Sequence, residues 1–591
     1  MCGIAGEIRF DQQPASKQRV ALMSEKMKSR GPDDHGLVER GWVAFGHRRL
    51  KIVDLSDRAA QPMTDETSGC CIVFNGCIYN HNELRAELGK LGHPFRSRSD
   101  TEVILRAYIE WGKDCVDRFN GMFAFAIHDP GKDHVFLARD RLGIKPLYLQ
   151  REKNCIRFAS SLPALVAASK QTSSIDAVGL HHYMSFHSVV PAPRTILADV
   201  RKLPPASRVM IDRKGCEAVE TWWKPSFRRQ PGDDQVSFEE WRERTAEVLN
   251  KAVRRRLTGD VPVGVLLSGG LDSSLIVGLL AKHGQQGLQT FSVGFETREN
   301  EEGDEFRYSD IIAERFDTEH HQIRVPSGEL LKHLPDCIDA MSEPMVSHDN
   351  IAFYLLSKAV SEHVKVVQSG QGADEIFAGY HWYPPMMDSA EPVADYEAVF
   401  FDRDHAEYQR AVNAAFDPGD ASSAFIRQHF ALADAERPID MAMHLDTSIM
   451  LVEDPVKRVD NMTMAWGLEA RVPFLDHEVV ELAARIPPGF KVDGGGKYVL
   501  KELARKVIPA EVIDRPKGYF PVPELKYLSG GSLEFVKDTL NSRTAGERGL
   551  FRRPYIDELL DAPHEHLTPL RGSKLWQVAL LEAWLQQHLD G

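Results

Sequence analysis

Between residues 261 and 284 the chain reads VPVGVLL, then SGGLDSS, then LIVGLLAKHG. An apolar run that ends in a Gly-Gly turn and continues as a helical pattern is a buried strand feeding a helix through a tight loop. That unit needs a covered parallel sheet, which restricts the second half to an α/β architecture. FSVGF and VKVVQSG read as further buried strands, and FEEWRERTAEVLNKAVRRRL as an amphipathic helix leading in. Paired glycines let main-chain N–H groups approach a polyanion, and the helix N-terminus adds partial positive charge. Ser268, Ser273 and Ser274 can donate further hydrogen bonds. The loop lacks the GKS or GKT ending of a Walker A motif.

A second Gly-rich turn, Ser369-Gly370-Gln371-Gly372-Ala373-Asp374-Glu375, follows the strand VKVVQ. It suits the carboxyl end of a neighbouring strand, where open α/β sheets bind ligands. Asp272 and Asp374 are then candidates to hold Mg²⁺, which takes carboxylate, water and phosphate oxygens.

The other end of the chain carries different chemistry. It begins Met1-Cys2-Gly3-Ile4-Ala5-Gly6. Removal of Met1 puts a thiol and a free α-amine on one residue, and the amine, with a pKa of about 8, can serve as the thiol's base.

A chain of 591 residues exceeds one core and divides into domains. Residues 1–195 are rich in short β-type runs (IAGEIRF, WVAFGH, CCIVFNG, FAFAIHD, HVFLARD) with helical stretches HNELRAELGKL and DTEVILRAYIEWG between them. Residues 196–235, with KLPPASR and FRRQPGDD, read as a linker, and 236–591 as the α/β domain. The acidic stretch 384–440 shows no chemistry. A formal charge of −14 disfavours nucleic acid, and no run approaches the roughly 18 apolar residues of a membrane span. The first residues lack a signal peptide's character. Eight cysteines without a CxxC pair indicate neither a disulfide framework nor a zinc site, and a reducing cytoplasm is expected.

Cys2 with GIAG, Arg30-Gly31-Pro32-Asp33, His47-Arg48-Arg49-Leu50, NGCIYN at 75–80, GMFAF at 121–125 and RLGIKPLY at 141–148 resemble the N-terminal-nucleophile glutaminase of the asparagine synthetase family. SGGLDSS, which is similar to the pyrophosphate loop of ATP pyrophosphatases, resembles its synthetase half. So do the second loop, LEARVPFLD at 468–476 and Lys497. The resemblance runs in order to beyond residue 520. It implies an Ntn-hydrolase αββα glutaminase sandwich followed by an adenine nucleotide α-hydrolase-like parallel-sheet domain.

It also implies roles. Cys2 would attack glutamine and release ammonia, with Asn75 and the Gly76 N–H as oxyanion hole. Arg49, Leu50, Ile52, Val53, Asn75, Gly76, Cys77 and Asp100 would bind glutamine. ATP would sit against Leu267, Ser268, Gly269, Gly270, Asp272, Ser273, Ser274, Val293, Ser369 and Gly370. A carboxylate acceptor would be adenylated with loss of pyrophosphate, then amidated with loss of AMP, assisted by Lys497 and the position of Gln371. ATP and Mg²⁺ are the implied cofactors. Glutamine, ATP and the acceptor are the partners, and oligomeric state is open, with a homodimer among the options.

Departures from the family pattern concern the acceptor. NGEIYN is here NGCIYN, SGEGADE is SGQGADE, DEPFADPS is Ser342-Glu343-Pro344-Met345-Val346-Ser347-His348-Asp349, and FASE ends in Ser161. Loss of acids near the synthetase loops favours an acceptor without a free amine. The combination is similar to the N-acetylglutaminylglutamine amidotransferases, which amidate a blocked dipeptide to a compatible solute. Authentic asparagine synthesis, intramolecular amide closure as in β-lactam synthetase, a tRNA-modifying ATP pyrophosphatase and a non-catalytic regulatory relative are the alternatives.

Overall fold

The computed structural model describes residues 2–169, 173–296, 304–515 and 528–590. The N-terminal half contributes strands β1 (Gly3–Arg9), β2 (Asp34–Arg40), β3 (Val43–Arg49), β4 (Met63–Thr64), β5 (Cys71–Ile78) and β6 (Gly121–Asp129). It continues with β7 (His134–Arg139), β8 (Tyr148–Arg151), β9 (Cys155–Ala159), β10 (Val200–Lys202), β11 (Ser207–Asp212) and β12 (Glu217–Thr221). They form two six-stranded antiparallel sheets, ordered β10-β8-β9-β1-β3-β2 and β12-β11-β7-β6-β5-β4.

The inner faces meet through Ile4, Phe45, Phe158, Val73, Leu137 and Ile211. Helices Lys17–Lys26 and Leu162–Ala168 cover the first sheet, and His81–Lys90 and Asp100–Trp111 the second. With both faces of each sheet covered, the strands are buried almost throughout, which is why they read as apolar runs rather than as alternation. The layering is αββα.

Residues 196–235, expected as a linker, instead carry β10, β11 and β12, which extend both sheets. Pro204 and Pro205 form only the turn between β10 and β11, β12 is an edge strand, and the charged run FRRQPGDD lies beyond it. The connection proper is the short stretch from Trp222 to the Ser237-capped helix Phe238–Arg255.

The C-terminal half holds strands β13 (Val263–Leu266), β14 (Gln289–Phe295), β15 (Glu319–Val325), β16 (Val366–Gln368) and β17 (Glu469–Arg471). They form one parallel sheet in the order β15-β14-β13-β16-β17. The chain moves outward from β13 through β14 to β15, then returns to lay β16 on the other side of β13. The β13/β16 boundary is therefore the topological switch point, where open α/β sheets bind ligands at their carboxyl ends. The last helix, Lys574–Leu589, is apolar on most of its surface and is buried in a core shared with the N-terminal half. Among the described residues, no helix is long and apolar enough to cross a membrane.

Candidate active sites

Cys2 immediately precedes β1, near the middle of the first sheet, and is 8% exposed. Its main-chain N–H donates to Asn75 Oδ1 at 3.0 Å, so the facing strand β5 holds the start of the chain. Removal of Met1 concerns a residue outside the described ones. Asn75 is fully buried, and its Nδ2 is a buried donor with no partner among the described residues. An unmet buried donor is costly, and one beside a thiol is placed to meet an oxyanion. The next residue, Gly76, has φ +154°, and a Cβ there would lie 2.1 Å from the Met122 carbonyl oxygen. No other residue fits. Burial pushes the Cys2 thiol up, against the pull of the amino-terminal charge, the Leu50 N–H and Arg49.

A pocket opens beside Cys2, lined by Arg49, Leu50, Ile52, Val53, Gly76, Cys77 and Asp100 among others. Arg49 closes β3, and its Nη1 and Nη2 donate to the carbonyls of Ser56 at 3.0 Å and Asp54 at 2.5 Å. These bonds fix the guanidinium plane, which a bidentate carboxylate contact requires. Asp100 is the first residue of the helix Asp100–Trp111 and accepts from the Ile78 N–H at 3.0 Å. Burial pushes its carboxyl up, with Glu469 adding to the shift and His81 opposing it. All eight residues expected for glutamine lie in or against this one pocket.

Among its other lining residues are two charged ones from the second half that carried no individual assignment from sequence. Glu469 and Arg471 come from β17, the edge of the other half's sheet. Residues i and i+2 of a strand share a face, and Arg471 Nε donates to Glu469 Oε1 at 2.6 Å with both side chains buried. Arg471 Nη2 lies 3.7 Å from Cys77 Sγ. The family glutamate's position is thus occupied by a thiol facing an arginine from the other half. The charged pair within LEARVPFLD was the available signal, but its destination depends on packing between segments almost 400 residues apart.

The second site forms at the switch point. Ser268 to Ser274 join β13 to the helix Leu271–Lys282, with Ser268 Oγ and Ser273 Oγ 3.1 Å apart. Gly269 has φ +67°, and a Cβ there would lie 2.8 Å from the Ser309 nitrogen. Leu267 is bound through its N–H to Phe291 of β14, and Val293 lies two residues further along that strand. Ser369 and Gly370 follow β16, and a Cβ on Gly370 would meet Asp272 Cβ at 2.9 Å, so that glycine lets the two loops touch. Gln371 sits half-buried in the turn before the short helix Ala373–Ile376.

Lys497 reaches this junction from a left-handed position, φ +54°, at the start of the helix Tyr498–Ala504. Its Nζ lies 2.7 Å from Asp272 Oδ2 and 2.9 Å from Asp374 Oδ2. Burial works against its charge, but the two carboxylates prevail and raise it. Two carboxylates converging on one cation form a donor set that Mg²⁺ also takes beside phosphates, so the residues fit the expected metal. Gly379 packs on the ion cluster, since a Cβ there would fall 2.3 Å from Lys497 Cε.

Comparison with known proteins agrees with this two-site arrangement. The glutamine amidotransferase domain family matches residues 1–223, and the asparagine synthase family matches residues 244–586. The chain is 30% identical to asparagine synthetase [glutamine-hydrolyzing] 3 of Bacillus subtilis, over 95% of this chain and 93% of that one. It is 30% identical to asparagine synthetase B [glutamine-hydrolyzing] of Escherichia coli, over 88% of this chain and 82% of that one. A putative asparagine synthetase of Mycobacterium tuberculosis is 31% identical over 96% of this chain and 93% of its own length. The chain belongs to the glutamine-hydrolysing asparagine synthetase family, ATP-dependent carbon–nitrogen ligases that take their amide nitrogen from glutamine.

Proposed function

We propose that the acceptor is N-acetylglutaminylglutamine, amidated at its terminal carboxylate. The observation that carries this reading is the state of the carboxylates near the second loop. Arg458 Nη1 donates to Asp349 Oδ2 at 2.9 Å and to Ser347 Oγ at 2.6 Å, and its Nη2 lies 3.4 Å from Asp454 Oδ2. Arg458 also lies in the field of Glu375 and Tyr380, which flank the second loop. Asp349 and Asp454 are thus engaged by an arginine, and burial pushes the Asp349 carboxyl up to about 6. With Ser347 and Gln371 in place of the family's acids, negative charge for a free ammonium is scarce here. A blocked amine needs none. The names of the relatives favour aspartate instead, which makes asparagine synthesis the second reading.

In the first reaction Cys2 Sγ attacks the side-chain carbonyl carbon of glutamine while the α-amine takes the thiol proton. The tetrahedral oxyanion accepts from Asn75 Nδ2 and the Gly76 N–H. Its collapse releases ammonia, and water cleaves the thioester to glutamate. In the second, an acceptor carboxylate oxygen attacks the α-phosphorus of ATP and pyrophosphate leaves. Ammonia then adds to the acyl carbon and AMP departs. Lys497 offsets negative charge on the phosphate and on the tetrahedral centre. Mg²⁺, held by Asp272 and Asp374, would neutralise phosphate charge.

The test is a competition with ATP, Mg²⁺, glutamine and both acceptors in one tube, with products identified by mass spectrometry. A dipeptide amide without asparagine is the expected result. Asparagine as the sole product would overturn the acceptor assignment.

A further inference from the structure

The segment 384–440, silent in sequence, brings two potential metal ligands against a third from the N-terminal half. His181 lies in the helix Ala177–Ser185, His405 begins the helix His405–Ala411, and Asp420 caps the helix Ala421–Leu432. His181 Nε2 and His405 Nδ1 are 3.2 Å apart, and His181 Nε2 is 4.0 Å from Asp420 Oδ1. The three ligand atoms all lie within 4.8 Å of one another. We infer that His181, His405 and Asp420 form a binding site for a divalent transition-metal ion, Zn²⁺ by its ligand set.

Three observations carry this. The first is spacing. Two imidazole nitrogens on a tetrahedral zinc, each at about 2.0–2.1 Å, stand about 3.3 Å apart, close to the observed 3.2 Å. Asp420 Oδ1, which also accepts from the Ser423 N–H at 3.2 Å, is the third ligand, and its side chain is 39% exposed, leaving room for a water as fourth.

The second is the surrounding hydrogen bonds. A ligating imidazole donates its other N–H to a fixed acceptor. His181 Nδ1 is 2.8 Å from Ser422 Oγ, and the same hydroxyl can donate onward to His182 Nδ1 at 3.0 Å. His405 Nε2 faces Asp417 Oδ1 at 3.7 Å. The Ser422 contact holds the His181 ring with its Nε2 facing His405 Nδ1.

The third is the chemistry of the donor set. Two imidazoles and one carboxylate suit Zn²⁺ over Mg²⁺, which prefers oxygen donors alone. The ion would clip the 404–420 stretch onto the helix Ala177–Ser185 of the N-terminal half. Next to it, His187 Nδ1 pairs with Asp402 Oδ1 at 2.9 Å across the same boundary.

The experiment uses the full chain freed of metal by a chelator, then titrated with Zn²⁺ by calorimetry and with Co²⁺ by visible absorption. One equivalent is expected, with intense tetrahedral Co²⁺ bands and no thiolate charge-transfer band. Asp420→Asn and His405→Gln should each weaken binding at least tenfold and abolish the metal-dependent rise in unfolding temperature. His429→Gln is the control, because among the described residues the His429–His444 pair, 2.9 Å apart, has no carboxylate in a comparable cluster. If His405→Gln does not fold, the more exposed Asp420→Asn decides. Absence of a stoichiometric site would overturn the proposal, as would binding unchanged in Asp420→Asn or lost equally in His429→Gln.

Discussion

Arg30 Nη1 donates to Asp460 Oδ2 at 2.9 Å while its Nε donates to the carbonyl of Cys2 at 3.3 Å. One buried guanidinium therefore joins the main chain of Cys2 to the helix Lys457–Met464 of the other half. Lys145 Nζ takes the second oxygen of Asp460 at 3.1 Å. Burial would raise the Asp460 carboxyl, but Arg30 and Lys145 outweigh it and hold it low. Removing one partner of a buried ion pair costs about 3–5 kcal/mol, because the other charge is left without compensation. Lys145 stays in place, so Arg30→Ala should cost about 3 kcal/mol in urea unfolding and depress glutamine-dependent amidation more than ammonia-dependent amidation. A loss under about 1 kcal/mol would show that the pair is not a tie between the halves.

Cys2→Ala separates the two reactions. Glutamine hydrolysis and glutamine-dependent amidation should vanish, while amidation supplied with ammonium salts continues at a rate close to that of the unaltered protein. Loss of both activities in a folded variant would contradict the two-site scheme.

Asn75→Ala probes the unpartnered Nδ2. Deleting one oxyanion donor lowers kcat by about 10²–10³, so glutaminase kcat should fall by that factor with little change in KM. Ammonia-dependent amidation serves as the internal control. A tenfold rise in KM at constant kcat would instead make Asn75 a binding residue.

What could be read from sequence follows from how local each requirement is. SGGLDSS is legible because the positive φ of Gly269 and the strand–turn–helix around it are encoded within a few residues. The β5 strand and Gly76 are legible for the same reason. The Cys77–Arg471 contact, the Arg30–Asp460 tie and the His181–His405 cluster are not, because each joins segments more than 200 residues apart. Strands β10 and β12 are sheet edges and β11, one strand in, alternates buried and half-buried residues in SRVMID, but the prolines and charges around all three carry a connector's texture.

Lys497→Met addresses the second site. It would leave Asp272 and Asp374, each within 2.9 Å of the lost ammonium, facing one another without their shared cation. Pyrophosphate release should fall at least 100-fold while glutaminase activity persists, since Cys2 and its pocket are untouched. Pyrophosphate release within threefold of the starting protein would remove Lys497 from the adenylation step.

Glu375 yields a pH signature. Burial pushes its carboxyl up to about 8, with the charge of Asp374 adding to the shift. Tyr380 OH donates to its Oε1 at 2.9 Å. The unfolded chain gives up this proton near pH 4.5, whereas the folded protein keeps it until about pH 8. Between those values the folded state binds more protons, so this group's contribution to stability is complete below pH 4.5 and declines as pH rises to 8. The limiting slope is about 1.4 kcal/mol per pH unit for one proton. Glu375→Gln keeps an uncharged side chain of similar shape at every pH, so it should remove that slope. Its urea unfolding free energy should gain on the unaltered protein steadily from pH 5 to pH 8. Parallel stability curves across this range would mean that Glu375 is ionised in the folded protein and balanced by Lys497.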